Sequence, residues 1–177
     1  MSFNATLYKD WDGITNAPEP LFEEVLSFNV AVEGNPYLLN PSRITYAPQV
    51  VATIDKIREA HGVELVWSTT WNYLNAVDLL PVHLHGLANG RVLHANLNHS
   101  ARGKAEWTAW KAEAIIADQI LNPRPFVWVD DNAPRYWGDH VSKNVDVPHL
   151  IVIPDSLHGL TEADLKSIEA FLAEHSI

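Results

Sequence analysis

The sequence predicts an α/β fold in which a central parallel sheet is covered by helices on both faces. Three observations support this class: short apolar runs alternate with segments of helical periodicity, the runs show no polar alternation, and acidic or hydroxyl residues directly follow several of them. Continuous apolar runs are typical of parallel strands that are buried on both sides. Alternating strands and helices predict βαβ units with right-handed crossovers.

Four strands and three long helices are predicted. The strands are the apolar runs at residues 5–8, 63–67, 126–129 and 150–153. The helices, in which apolar residues recur every three or four positions, are predicted at residues 49–61, 106–121 and 161–175. The last helix opens with Thr161 and Asp164, which have the spacing of a capping box.

Two segments depart from this alternation. Residues 18–41 hold an aromatic-rich stretch with a turn signal at 34–36, which predicts a β-hairpin, and we place the small cap or flap insertion at residues 14–47. Residues 82–98 alternate in polarity around Asn89 and Gly90, a pair typical of tight turns, and predict a second β-hairpin insertion. Both insertions are assigned to a single domain spanning residues 1–177, because this length suits one core.

Composition limits the partners and the location. The 177 residues carry a net charge of −10, so stable nucleic-acid binding is not expected, because such binding rests on cations that neutralise phosphates. The absence of cysteine excludes disulfides and thiolate metal sites. No apolar run reaches the roughly 18 residues of a membrane span. The first residues lack a signal-peptide pattern, so a cytoplasmic location is expected.

Polar side chains follow the predicted strands at the points where the strands end. These residues are Asp10, Asp12, Ser68, Thr69, Thr70, Asp130, Asp131 and Asp155. Because the carboxyl ends of parallel strands share one edge of the sheet, the residues should line one ligand-binding rim. Crowded carboxylates are costly unless a cation or protons compensate, and all-oxygen ligands favour Mg²⁺. A bound metal would also allow a small anionic substrate.

Four motifs in order make the sequence resemble the haloacid dehalogenase-like (HAD) phosphohydrolase superfamily. They are LYKDWDG, LVWSTTW, a lysine in the helix before the last motif, and FVWVDD. The resemblance spans nearly the whole chain and implies a three-layer α/β/α Rossmann-like HAD fold. More narrowly, LVWSTTW, RPFVWVDD and the closing GLTEADL resemble small, nearly capless HAD domains, including ones attached to RNA-repair proteins.

The resemblance implies a Mg²⁺-dependent phosphatase that acts through an aspartyl-phosphate. Asp10 would be the nucleophile, and Asp12 would protonate the leaving oxygen and later take a proton from water. The Mg²⁺ ligands would be Asp10, the backbone carbonyl of Asp12, Asp131 and Asp130, the last directly or through water. Thr69 would donate a hydrogen bond to a phosphate oxygen.

The motif lysine has two candidates. Lys111 follows a tryptophan in WTAWKAEAI, as in the narrower relatives, and Lys104 lies nearer the predicted helix start. We favour Lys111 as the catalytic lysine that offsets charge on the transferring group, and we keep Lys104 as a substrate-binding candidate. Lys9 departs from the family pattern, which has an apolar residue there, and a charge inside a buried strand needs a partner.

Three further residues are assigned to the substrate side of the site. Gly13 lets the chain turn steeply after the aspartates, and Thr70 lies beside Thr69. Trp71 directly follows Thr70 of the second motif, and Trp11 directly follows Asp10 of the first. Each tryptophan either packs in the core or lines the cleft and stacks on a base or sugar.

The substrate class and two other functions stay open at this point. The expected substrate is a phosphorylated small molecule, such as a nucleotide or sugar phosphate, or a nucleic-acid end, and an open site also suits a phosphoprotein. One alternative is a HAD-fold phosphate-binding module with little or no turnover. The other is a zinc hydrolase built on His83, His85, His94 and His99, which otherwise form a solvated hairpin face.

Overall fold

The structure, a computed structural model, describes residues 3–30, 42–71, 76–94 and 100–176. Its strands are β1 (Ala5–Lys9), β2 (Leu26–Val30), β3 (Ser42–Tyr46), β4 (Val63–Trp67), β5 (Arg91–Val92), β6 (Phe126–Val129) and β7 (His149–Val152). Its helices are α1 (Pro48–His61), α2 (Ala76–Leu84), α3 (Lys104–Leu121), α4 (Ala133–Asn144) and α5 (Glu162–His175). The predicted strands and long helices lie within two residues of these bounds, whereas α2 and α4 were not predicted.

Five of the strands form one parallel sheet in the order β5-β4-β1-β6-β7. The last residue of β1 pairs with the last residues of both β4 and β6. The residues that follow these three strands, Asp10, Ser68 and Asp130, therefore stand at the same level on the carboxyl edge of the sheet. This arrangement confirms the predicted α/β class and positions the candidate site.

Helices cover both faces of the sheet. On one face, α1, α2 and α5 share a core with strand residues such as Leu7 and Leu65. On the other face, α3 and α4 share a core with strand residues such as Tyr8 and Trp128. Every residue of β1 and of β6 is buried, and β6 is apolar throughout, whereas β1 also buries Thr6 and Lys9.

Local signals set the ends of two helices. The α1 helix begins with Pro48 and ends at Gly62, whose positive φ of 62° is a conformation that favours glycine. The α5 helix begins after Thr161, which exchanges hydrogen bonds with Asp164 and so confirms the predicted capping box. None of the helices among the described residues combines the length and apolar character needed to cross a lipid bilayer.

An antiparallel strand pair lies in the segment of the predicted flap. The β2 and β3 strands pair with Phe28 opposite Ile44. Ile44 and Tyr46 are buried in the core beneath α1, so this pair is anchored to the main domain. The N–H of Ala17 also donates to the carbonyl of Thr45 at 3.0 Å. The predicted turn at residues 34–36 lies outside the described residues.

The predicted β-hairpin at residues 82–98 is wrong for the part that the structure describes. The chain is helical as far as Leu84, and β5 then joins the sheet parallel to β4. Gly90 directly precedes β5 rather than forming a hairpin turn. A Cβ at this position would lie 2.4 Å from Nε1 of Trp67. Glycine thus permits a close approach of the chain to the sheet, a requirement that resembles a turn signal in the sequence. Residues 95–98 lie outside the described part.

Ion pairs hold β5 beside β4 at the edge of the five-stranded sheet. Glu64 in β4 accepts hydrogen bonds from Nε and Nη2 of Arg91 at 3.0 and 3.1 Å, and it also contacts Arg124. Arg91 donates two further hydrogen bonds to Asp118 of α3, at 2.9 and 2.8 Å. These partners come from distant parts of the chain, so hydrophobic periodicity did not reveal them.

Lys9 finds its partners in the backbone and in two indole rings. Its side chain is fully buried, and Nζ donates to the carbonyl oxygen of Asp10 at 2.9 Å. The same nitrogen lies over the rings of Trp11 and Trp67, 5.6 and 5.1 Å from their centroids. Burial lowers the pKa of Lys9 to about 7, although the charges of Asp10 and Asp12 act in the opposite direction.

Candidate active site

Three aspartates converge at the carboxyl edge of the sheet. Asp10 follows β1, and Asp130 and Asp131 follow β6. One carboxylate oxygen from each lies within 4.8 Å of the others. Burial and the charges of Asp130 and Asp10 raise the pKa of Asp131 to about 6. Such a cluster needs a compensating cation, and its all-oxygen character suits Mg²⁺.

Lys111 supplies a fixed positive charge to this cluster. Its Nζ contacts Oδ2 of Asp10 and lies 2.6 Å from Oδ2 of Asp130. The lysine comes from α3, and only 5% of its side chain is exposed. Burial alone would lower the pKa of Lys111, but the two carboxylates raise it above its ordinary value. Lys111 is therefore charged and links the ends of β1 and β6.

The start of α4 holds Asp130 in place. Oδ1 of Asp130 accepts hydrogen bonds from the N–H groups of Asn132 and Ala133 at 2.9 and 2.7 Å. The free N–H groups of a helix N-terminus favour a carboxylate. These bonds leave Oδ2 directed to Lys111, so the strand-to-helix turn after β6 orients the fully buried Asp130.

Gly13 leaves the space that the carboxylate of Asp131 occupies. A Cβ at position 13 would lie 2.6 Å from both Cγ and Oδ2 of Asp131, and Gly13 has a positive φ of 67°. Two requirements, a left-handed backbone and an absent side chain, therefore select glycine. Gly13 packs behind the acidic cluster.

Asp12 lies at the exposed side of the cluster, and both of its oxygens are occupied. Oδ1 accepts a hydrogen bond from Nδ2 of Asn16 at 2.7 Å, and Oδ2 accepts one from Nε1 of Trp71 at 2.8 Å. Part of the side chain is exposed, yet the loss of solvent around the carboxylate raises its pKa despite these two donors. A raised pKa suits a group that must carry a proton near neutral pH.

The hydroxyl groups after β4 differ in their partners. Thr69 is buried, and its Oγ1 accepts the N–H of Trp71 at 3.3 Å. Ser68 is also buried, but its Oγ has no hydrogen-bond partner in the described part of the chain. Ser68 directly follows β4 and stands level with Asp10 and Asp130. Thr70 is half-buried beside them.

Comparison with known families agrees with this geometry. A family model described as the HAD domain in Swiss Army Knife RNA repair proteins matches residues 6–165. The chain belongs to this family. The match includes all four motifs and supports phosphatase-type chemistry of the HAD superfamily in general. No curated protein sequence matches the chain.

The two lysine candidates of this HAD domain occupy different places. Lys111 is the one whose Nζ reaches Asp10 and Asp130. Lys104 is the first residue of α3 and is exposed, and among the described residues it makes no contact with the aspartates. The two lysines are seven residues apart, so about two helical turns separate them.

The tryptophans that follow the motifs pack in the core rather than line an open cleft. Trp11 is fully buried and Trp71 is 2% exposed, so neither offers a free face for stacking on a base or sugar. Their rings meet edge to face at a centroid distance of 6.1 Å. Trp71 instead presents its polar edge to Asp12, a contact that sequence spacing could not reveal.

The histidines do not form a metal site among the described residues. His83 stacks on Phe28 at a centroid distance of 4.8 Å, and His85 and His94 are exposed. His99 lies outside the described part of the chain. In that described part, Asp10, Asp130 and Asp131 are the side chains close enough to one another to hold a metal ion.

The sequence assignments missed Asn16 and gave Ser68 no role beyond its place on the rim. A role for Ser68 depends on the register of β1 and β4, because the motif LVWSTTW offers three hydroxyls. Asn16 carries no motif signal and reaches Asp12 only because the chain turns at Gly13.

Proposed function

We propose that this HAD domain is a Mg²⁺-dependent phosphomonoesterase that acts through an aspartyl-phosphate on Asp10. One observation carries the proposal: a buried lysine contacts two of three aspartates whose oxygens lie within 4.8 Å of one another at the end of a parallel sheet. A structural ion pair needs one carboxylate, whereas several carboxylate oxygens at one point suit a hard cation such as Mg²⁺.

The donor set fits Mg²⁺. The carboxylates of Asp10, Asp130 and Asp131 would hold the ion, together with the backbone carbonyl of Asp12. When bound, Mg²⁺ would neutralise the crowded carboxylates and polarise the phosphate oxygens. The raised pKa of Asp131 agrees with such a site, because a bound cation would favour its charged form.

In the first step, a carboxylate oxygen of Asp10 attacks phosphorus, and the bond between phosphorus and the leaving oxygen breaks. The electron pair of that bond goes to the leaving oxygen, which receives the proton of Asp12. Lys111 offsets the negative charge of the nucleophile and of the transferring group. The backbone N–H of Trp11 donates to Oδ1 of Asp10 at 2.7 Å and keeps the carboxylate oriented.

In the second step, a water oxygen attacks phosphorus and gives a proton to Asp12. The bond between phosphorus and the Asp10 oxygen breaks, so the free carboxylate and inorganic phosphate form. Ser68 and Thr69 would donate hydrogen bonds to phosphate oxygens, Ser68 with a hydroxyl that has no partner in the described residues. Thr69 would direct its hydroxyl proton outwards while its oxygen accepts from Trp71.

The family and the net charge support a proposal for the substrate class. The family description refers to RNA repair, which favours a nucleotide or a polynucleotide end as the phosphomonoester. The net charge of −10 argues against broad contact with a nucleic-acid backbone, so recognition would centre on the terminal nucleotide.

Metal removal tests the proposed function. Phosphate release from p-nitrophenyl phosphate is expected to fall to the background rate in EDTA and to return when excess Mg²⁺ is added. Zn²⁺ at the same free concentration should restore less activity, because the site offers only oxygen ligands. A background rate in Mg²⁺ with this substrate and with a panel of phosphorylated nucleotides and sugars would contradict the proposal and favour a phosphate-binding module.

Gly13→Ala is expected to weaken Mg²⁺ binding by about tenfold or more, the scale on which changes beside a metal ligand act. The reason is that the added Cβ would displace the carboxylate of Asp131. Isothermal titration calorimetry with Mg²⁺ measures the effect. Gly103→Ala is the matched control, because no heavy atom lies within 4 Å of its added Cβ. Equal Mg²⁺ affinity in both variants would show that Asp131 is not a ligand.

A further inference from the structure

The carboxylate of Asp12 is held from two sides by groups that the proposed chemistry does not use. Nδ2 of Asn16 donates to Oδ1 at 2.7 Å, and Nε1 of Trp71 donates to Oδ2 at 2.8 Å. Asp12 is itself exposed, whereas Trp71 is 2% exposed. An exposed carboxylate is thus tied to a buried aromatic ring.

Each donor is fixed by further contacts besides the one to Asp12. The amide oxygen of Asn16 accepts the N–H of Thr45 at 3.0 Å, which turns its Nδ2 towards Asp12 and ties it to β3. The ring of Trp71 contacts the ring of Trp11 edge to face, and the backbone N–H of Trp71 donates to Oγ1 of Thr69. The two donors therefore have little freedom of their own.

Both contacts leave room for a proton on Asp12. Each carboxylate oxygen has two lone pairs, and the two N–H donors occupy one lone pair on each oxygen. The remaining lone pairs can carry the proton that a leaving group needs. Proton transfer requires this group to stand within hydrogen-bond distance of the leaving oxygen, so a fixed side chain is an advantage.

We propose that Trp71 and Asn16 are positioning residues that hold the Asp12 carboxylate for proton transfer to the leaving oxygen. The inference rests on the proposed phosphomonoesterase function. The buried indole of Trp71 would act on the reaction by orienting Asp12 and would not itself contact the substrate. The inference also makes β3, through Thr45 and Asn16, a support of the proton donor.

A comparison of two substrates tests the inference. The p-nitrophenolate group leaves readily without a proton, whereas the alkoxide of glycerol 2-phosphate must be protonated. Trp71→Phe keeps an aromatic ring and removes the Nε1 donor. We expect this variant to lower kcat/KM for glycerol 2-phosphate by about 10- to 100-fold and to change that for p-nitrophenyl phosphate by less than about threefold.

Asn16→Ala provides a second variant that leaves the tryptophan core intact. It is expected to change the ratio of the two substrates in the same direction. Trp110→Phe is the matched control, because Nε1 of Trp110 is buried and has no hydrogen-bond partner in the described part of the chain. The same aromatic truncation at Trp110 should leave the substrate ratio unchanged.

The outcomes separate this inference from the function on which it rests. If both Asp12-contact variants slow the two substrates equally, or leave their ratio unchanged, the positioning role is wrong while the phosphatase assignment stands. If the wild-type protein in Mg²⁺ releases phosphate from neither substrate, the proposed function fails and the inference fails with it. A selective loss on the alkyl substrate supports both.

Discussion

Asp10→Asn is expected to lower kcat for phosphate release by at least about 10⁴-fold, the scale on which loss of a covalent nucleophile acts in other enzymes. The amide oxygen is a poor nucleophile, so no acyl-phosphate can form at this position. The measurement is phosphate release from p-nitrophenyl phosphate in Mg²⁺. Acid-quenched wild-type protein should also carry one phosphoryl group by mass spectrometry, and the variant should not.

Two controls accompany the nucleophile variant. Both oxygens of Asp10 accept hydrogen bonds, from Trp11 and from Lys111, and an amide offers only one acceptor oxygen, so thermal unfolding must show that the variant is folded. Asp155→Asn is the matched change, because Asp155 also follows a strand of the sheet but closes its own turn by accepting the N–H of Leu157. Activity of Asp10→Asn within tenfold of wild type would rule out the aspartyl-phosphate.

Lys111→Met is expected to destabilise the protein by about 3–5 kcal/mol in EDTA, the cost of leaving buried charges without their partner. The affected carboxylates are Asp10 and Asp130, and the latter is fully buried. Urea unfolding measures the change. Mg²⁺ should recover part of the loss, because a bound cation would compensate the same carboxylates.

Activity should fall together with stability in this variant. Loss of a group that stabilises transition-state charge costs about 10²–10³-fold in kcat. The control is Lys104→Met on the same helix, whose side chain is exposed at the first residue of α3. It is expected to leave both stability and kcat close to wild type. A larger effect at Lys104 than at Lys111 would reverse the assignment of the motif lysine.

The register of three strands brings the acidic residues together, and the strands themselves were predictable. Apolar runs that are buried on both faces predicted β1, β4, β6 and β7, and with them the rim where Asp10 and Asp130 stand. The capping box of α5 was equally readable, because its two residues are neighbours in the chain. Local signals of this kind need no knowledge of the fold.

The predicted hairpin at residues 82–98 was wrong for a physical reason. Asn89 and Gly90 have the composition of a tight turn, but glycine was needed there because the chain passes close to Trp67. Glu64 and Arg91, which dock β5, lie 27 positions apart. Neither the steric demand nor the ion pair is visible in a local pattern, so the parallel edge strand was read as a hairpin.

The sequence by itself determined the α/β class, the order of the motifs and the aspartates that end β1 and β6, because these depend on hydrophobic patterning and on spacing within single strands. The resemblance already favoured Lys111 over Lys104, and the tertiary structure showed that Lys111 contacts Asp10. Only the tertiary structure revealed the donors to Asp12, Trp71 and Asn16, because such contacts join residues whose distance depends on how separate elements pack.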